Sequence, residues 1–300
     1  MKTTAIQFTA YGNTGLVQIM ATPETILNVK PGGPEMKNGG LIINESNENG
    51  VVGKLTATNN TGSFLLLTDA DVLIGAKQNR IINKSILLAP FSKTIIDVSC
   101  IERLRWHYNS SDFRSPDIAA DHDLRKAKIA SMLFKMNESM PVQNTQSVVW
   151  SHINHSLTEE HLTNETESYH EAVSFRMSQK AGDFPVCEAE RGCTGLGVVV
   201  NGKVKCIDIF GTEELYKYYF PLLRNSAFRM AGTGKDIKQA DKHESNFRVL
   251  ESLDIFEMTE RNSDQQYPGA GKLMMAERNG ILGIELSIDE KRVHVVVFNK

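Results

Sequence analysis

No stretch of this sequence is apolar for long enough to cross a bilayer. Its opening, Met1-Lys2-Thr3-Thr4 followed by a mixed segment with Gln7 and Tyr11, lacks the apolar core and cleavage site of a secretory signal. Cysteine is scarce. Cys100, Cys187, Cys193 and Cys206 are the only four, with no C-x-x-C spacing and no secreted context. Thiols in a reducing compartment are the simple reading, and the expected location is cytoplasmic with no membrane partner. The Asn-x-Ser/Thr triplets at Asn59 and Asn109 are then accidents of composition. A surplus of basic charge is also missing: the net charge of -3 gives no global field for nucleic acid, which is not an expected partner.

Nucleotide and catalytic signatures are thin as well. Gly192, Gly195 and Gly197 precede an apolar run of strand type, not the helix that a dinucleotide fingerprint requires. Gly232-Thr233-Gly234-Lys235 is followed by Asp236 where a phosphate-binding loop has Ser or Thr. There is no Gly-x-Ser-x-Gly elbow. His152 and His155, with Glu159 one turn further, share a helix face but lack a third ligand and the H-E-x-x-H spacing, while His161 and His170 read as surface residues. The expectation is no metal and no cofactor.

What is present is an ordinary globular composition, 41% hydrophobic and 23% charged, with enough apolar mass in 300 residues for one elaborate domain or two smaller ones. Apolar runs at Leu41–Asn44, Val51–Thr58, Phe64–Gly75, Ile81–Ala89 and Thr94–Cys100 are separated by turn-rich segments at Asn47–Gly50 and Asn59–Gly62. They predict a β-sandwich-like, strand-rich domain over residues 1–110. Ser110–Asp121 reads as a linker. Residues 120–300 then read as an α+β domain. Leu124, Ala127, Ile129, Ala130, Leu133 and Phe134 recur at helical spacing behind Asp121 as N-cap, and further helices are expected around Gln143–His155, Glu165–Lys180 and Ala240–Leu250. Asn201-Gly202 between two β-branched runs predicts a tight hairpin spanning residues 197–210. Thr212 caps a helix whose apolar face is Leu215, Tyr218, Tyr219, Leu222 and Leu223, with Pro221 expected to kink it. Strands around Asn279-Gly280 and Val293–Phe298 close the chain. The fold class is α+β.

The most function-like segment is Gly75-Ala76-Lys77-Gln78-Asn79-Arg80. Two cations and two amides follow a glycine that permits close backbone approach, a combination suited to gripping an anion and reading a sugar or base edge. The bland alternative is a solvated hairpin tip whose charges protect a sheet edge. Asp69 and Asp71 stand upstream at alternate positions, which would face one side of a regular strand. Downstream, Cys100 and Glu102 are followed by Arg103, Arg105, Trp106, His107 and Tyr108, cations interleaved with flat rings as where a base is stacked. Cys100 beside arginines is either a lowered-pKa nucleophile or, the favoured reading, a small buried apolar residue.

The run Gly75–Arg80, then Asn83, Ser85 and Leu87, then Val98-Ser99-Cys100-x-Glu102 with Trp106, resembles the ADP-ribosylglycohydrolase and rhodanese-phosphatase-superfamily-associated domain family. Val149-Trp150, the Gly197–Val204 hairpin, Asp208-x-Phe210, and Phe220–Arg224 with Ala227 extend the resemblance over most of the chain from Leu41. Where that family tends to carry Gly-Glu-Glu-Leu before the glycine, this chain reads Ala70-Asp71-Val72-Leu73, keeping one acid. The resemblance implies work alongside ADP-ribose and NAD-consuming systems. Two functions are carried forward. In the first, the chain binds, and in the fuller form of the reading hydrolyses, an ADP-ribose-like or related nucleotide metabolite. Gly75, Lys77, Gln78, Asn79, Arg80, Arg105 and Trp106 then form the ligand site, and Glu102 or Asp71 is the general base. In the second, it is a non-catalytic module that docks a partner enzyme or forms a homo-oligomer, and the Gly75–Arg80 run fixes an interdomain joint.

Overall fold

The computed structural model describes residues 2–22, 28–46, 53–137, 145–159, 165–232 and 234–299. The chain begins with β1 (Thr3–Tyr11), β2 (Thr14–Ala21) and β3 (Val29–Pro31), then the short α1 (Gly32–Lys37). There follow β4 (Leu41–Glu45), β5 (Lys54–Asn59), β6 (Phe64–Leu67), β7 (Val72–Gly75), β8 (Arg80–Ile82), β9 (Ile86–Leu88), β10 (Ser92–Cys100) and β11 (Phe113–Arg114). Three helices come next: α2 (His122–Asn137), α3 (Thr145–Glu159) and α4 (Tyr169–Lys180). The rest is β12 (Gly195–Val200), β13 (Lys203–Phe210), α5 (Glu213–Arg229), α6 (Lys242–Glu257), β14 (Asn262–Ser263), β15 (Lys272–Arg278), β16 (Ile281–Ile288) and β17 (Lys291–Asn299). The fold is α+β with a strand-rich first half. Among the described residues no helix is long and apolar enough to cross a membrane.

Three sheets form. The largest is antiparallel in the order β1-β2-β12-β13-β17-β16-β15-β14. A six-stranded antiparallel sheet runs β11-β7-β8-β10-β5-β4, and a three-stranded one runs β3-β6-β9. The large sheet is covered on both faces, which is why β17 reads as an unbroken apolar run. Val295 and Val297 pack with Val249, Leu253 and Phe256 of α6, while Val296 and Phe298 share the opposite core with Tyr216 and Tyr219 of α5. His294 has the parity of Val296 and Phe298, so it points between the sheets.

Several expectations hold. Asn201 and Gly202 have φ of 51° and 71°, as a type I′ turn needs, and Asn279 and Gly280 repeat the pattern at 52° and 77°. The Thr212 hydroxyl accepts from the Leu215 amide at 3.2 Å, capping α5, which continues through Pro221. Buried Asn59 organises the turn at Asn59–Gly62 by accepting from the Thr61 amide and donating to the Ser63 and Ala89 carbonyls. The turn expected at residues 47–50, the start of the 51–58 run and His161 lie outside the described residues.

Other elements differ. The run Phe64–Gly75 is two strands, because the Asp71 carboxylate accepts from the Thr68 amide (2.5 Å) and hydroxyl (3.0 Å) and turns the chain between them. Asp69 and Asp71 therefore do not share a strand face. The division near residue 110 put Thr3–Ala21 with the strand-rich half, yet β2 pairs with β12, so these strands belong to the sheet of the C-terminal half. Asp121 stands just before α2, but its carboxylate accepts from Arg229 and Tyr169 instead of capping the helix.

Candidate functional site

Gly75–Arg80 connects β7 to β8, and the chain just past β10 clamps it. Gly75 has φ of 125°, and a Cβ there would lie 2.5 Å from Ser110 Oγ and 2.6 Å from the Asp112 carbonyl oxygen, so the close approach that glycine permits is to the chain's own backbone. Ala76 also sits at positive φ, 41°. The Arg105 guanidinium holds both in place: it donates to the carbonyls of Ala76 (2.7 Å), His107 (3.0 Å) and Gly75 (3.3 Å), to Asn79 Oδ1 (3.2 Å) and to Glu102 (2.6 Å). Glu102 also accepts from the Asn79 amide at 3.1 Å. Burial alone would raise the Glu102 carboxyl, but Arg105 and the Asn79 amide outweigh it and hold it below its ordinary value. Arg80 is fully buried, donates to Gln78 and lies 3.7 Å from Glu45.

Lys77 is itself about nine-tenths buried, with its ammonium against two rings that reach the surface. Lys77 Nζ lies 5.0 Å from the ring centre of Tyr108 and 5.6 Å from that of Trp106, both rings being about half exposed. Leu104 and Arg103, just before them in the chain, are also exposed, and Arg103 pairs with Glu167 at 3.4 Å.

A second polar centre lies where the sheets meet. Arg125, one turn into α2, donates to Asp69 (2.8 and 3.0 Å) and to Asp208 of β13 (2.6 and 3.0 Å). His294 Nε2 faces Asp208 at 3.2 Å, and its Nδ1 is hydrogen-bonded to Ser85 Oγ at 2.9 Å. With Nε2 donating to the carboxylate, Nδ1 of a neutral ring accepts from the serine hydroxyl. The Ser-His-Asp order is that of a nucleophile relay, but all three are buried and the crevice beside Asp208 has room for about one water (about 10 Å³). One ligand atom each of Asp69, Asp208 and His294 lie within 4.8 Å of one another, yet the Arg125 guanidinium already bridges both carboxylates and supplies the positive charge that a cation would bring. Burial opposes ionisation of Asp208, but Arg125 and His294 more than offset it and keep its carboxyl far below the usual range. Lys128, one helical turn on, donates to the carbonyls of Asp69 and Ile82, and burial draws its ammonium down to about 7. This centre ties α2 to two sheets.

Residues 4–298 match the family model of the ARG and Rhodanese-Phosphatase-superfamily-associated Protein domain, ARPP-1. The chain belongs to that family. No curated protein and no solved structure matches it.

In this ARPP-1 chain the motif residues sort into two groups. Gly75, Lys77, Gln78, Asn79, Arg80, Glu102, Arg105 and Trp106 do come together around one loop, but most of their polar atoms face each other. Ser85, Asp208 and Phe210 meet instead at His294, whose ring lies 4.9 Å from that of Phe210. The two candidate bases do not converge. Glu102 is in the clamp, whereas Asp71 stands at the other end of β7, where it also accepts from the Tyr219 hydroxyl at 3.0 Å. Burial pushes the Asp71 carboxyl up to about 6 against the pull of Thr68 and Tyr219. Cys100 is buried, and burial raises its thiol, the opposite of an activated nucleophile. His152 and His155 lie on α3, and burial lowers the His152 imidazole.

The raised Asp71 value has a testable sign. A carboxyl whose folded pKa exceeds its unfolded one contributes stability fully below the unfolded value of 3.8 and loses it as pH rises through about 6. Asp71→Asn should therefore gain on wild type between pH 4 and 7, by up to about 3 kcal/mol. Urea denaturation across that window checks it; parallel curves for the two proteins would refute it.

Sequence reasoning passed over Arg125, Lys128 and His294 altogether. The available signal was a polar residue inside a run apolar on both sides, Ile207-Asp208-Ile209 and Val293-His294-Val295, which only a buried partner explains.

Proposed function

We propose that this chain binds an ADP-ribose-like nucleotide metabolite on the strip around Lys77, with Trp106 and Tyr108 stacking the base and Lys77 and Arg103 facing its phosphates. The observation that carries the reading is the convergence of two half-exposed rings on one lysine ammonium. The family description, its "ARG" read as ADP-ribosylglycohydrolase, directs the choice of metabolite. The reading is one of binding, since Glu102 is held by Arg105 and Asp71 lies a strand length away, so no pair of acids flanks a common point. It places the protein in the cytoplasm, where its four free, buried thiols stay reduced. Calorimetric titration with ADP-ribose tests it. Trp106→Ala should weaken binding about tenfold or more, the usual worth of one stacked base; an unchanged affinity would reject the site.

The second reading, a non-catalytic module acting with a partner enzyme or a second copy, is favoured by a different observation. Gln78, Asn79, Arg80, Glu102 and Arg105 are engaged with one another, as a joint requires. Absence of any nucleotide-induced stabilisation would favour this reading over the first.

A further inference from the structure

Beside the start of α3, across from β8 and β10, is a cavity of about 320 Å³ that neither polar centre uses. Its wall is polar, formed by Asn83, Lys84, Asp97, Ser99, Thr145 and Gln266. Asn83 is more than nine-tenths buried, and its Oδ1 accepts from the Ser99 hydroxyl at 2.8 Å. That bond fixes the amide, and its nitrogen, which has no hydrogen-bond partner among the described residues, is left to the cavity it lines. Lys84 pairs with Asp264 at 2.5 Å and with Asp97 at 3.4 Å, and Lys54 also pairs with Asp97, so the charges of the wall are already matched. The one Ser131 hydroxyl hydrogen goes to the Lys128 carbonyl at 2.8 Å, so at 3.2 Å Thr145 donates to Ser131 and its oxygen is left to accept.

Such a wall suits a small neutral ligand rich in hydroxyl groups. The wall offers both an amide donor, Asn83, and a carboxylate acceptor, Asp97, as a diol can use, the balanced charge gives no advantage to an anion, and the volume is at the small end of ligand pockets, roughly 300–1,000 Å³, where a monosaccharide fits. We propose that this cavity binds a neutral sugar of pentose size, the Asn83 amide donating to one hydroxyl while the Asp97 carboxylate accepts from its neighbour. The site is separate from the Trp106 strip and does not rest on the nucleotide reading.

The test uses D-ribose as probe, by saturation-transfer NMR and calorimetry on the full chain. Wild type should bind it, ribose 5-phosphate should bind within about threefold of it, and inorganic phosphate should not displace it. Asn83→Leu should weaken binding about tenfold, the worth of one buried amide hydrogen bond. Should that variant fold poorly, Gln266→Ala on its exposed loop decides the matter, with an expected loss of about threefold. Trp106→Ala should leave ribose binding unchanged, which separates this site from the nucleotide strip. No ribose binding by wild type at millimolar concentration, displacement by phosphate, or full affinity in Gln266→Ala would overturn the proposal.

Discussion

Arg125→Leu should lower the stability of this protein by about 3–5 kcal/mol, because it leaves the Asp69 and Asp208 carboxylates buried without their shared counter-ion. A loss of that size is a large part of the roughly 5–15 kcal/mol that holds a domain together. The pH dependence should change sign with it. In wild type the Asp208 carboxyl is depressed, so its contribution is present above the unfolded carboxylate value and is lost only as pH falls through the folded one. In the variant the stranded carboxyls are raised by burial, so stability is lost as pH rises through their new values. Urea denaturation at pH 5 and pH 8 should show the variant losing more than wild type between the two. Adding Asp208→Asn to Arg125→Leu should recover part of the loss, since it removes one stranded charge. A variant within 1 kcal/mol of wild type at both pH values would mean that the centre does not tie the sheets together.

Arg105→Leu should cost about 3 kcal/mol for a related reason. The guanidinium satisfies three backbone carbonyls and the Glu102 carboxylate at once, and it holds Ala76 in a conformation that a non-glycine residue adopts only under constraint. Its loss strands a buried acid and frees the loop. Thermal melting should drop and proteolysis near Gly75 should speed up. Glu102→Gln should do less harm, since an amide oxygen still accepts from the Asn79 amide. An Arg105 variant that melts like wild type would contradict the clamp and return this arginine to the ligand site.

The local grammar of the chain was legible in its residues. Asn201-Gly202 and Asn279-Gly280 announce hairpins because few other pairs reach positive φ twice in succession, and Thr212 announces a helix because its hydroxyl matches an orphan amide. Pairing between distant segments was not legible. Nothing in Thr3–Ala21 says that its partner is Gly195–Val200, since register is set by what the sheet covers and not by the strand itself. The break between β6 and β7 was hidden because a side chain, Asp71 on the Thr68 amide, interrupts two runs that are apolar on either side. Asp69 and Asp208 stood out in the sequence, but their pairing through Arg125 did not, because charged residues belong at the surface unless paired and this pairing spans three elements. The Gly75–Arg80 run stood out in the sequence as a place, but the hydrogen bonds of Gln78 and Asn79 to Arg103, Glu102 and Arg105, more than twenty positions on, could not be read from it.

Lys77 is where the two readings of that run divide most sharply. Lys77→Ala, measured for melting temperature with and without saturating ADP-ribose, should lose the stabilisation that ADP-ribose gives the parent protein, read as the shift relative to the variant's own unliganded melting temperature. An ADP-ribose shift of the same size in Lys77→Ala as in wild type would contradict the account.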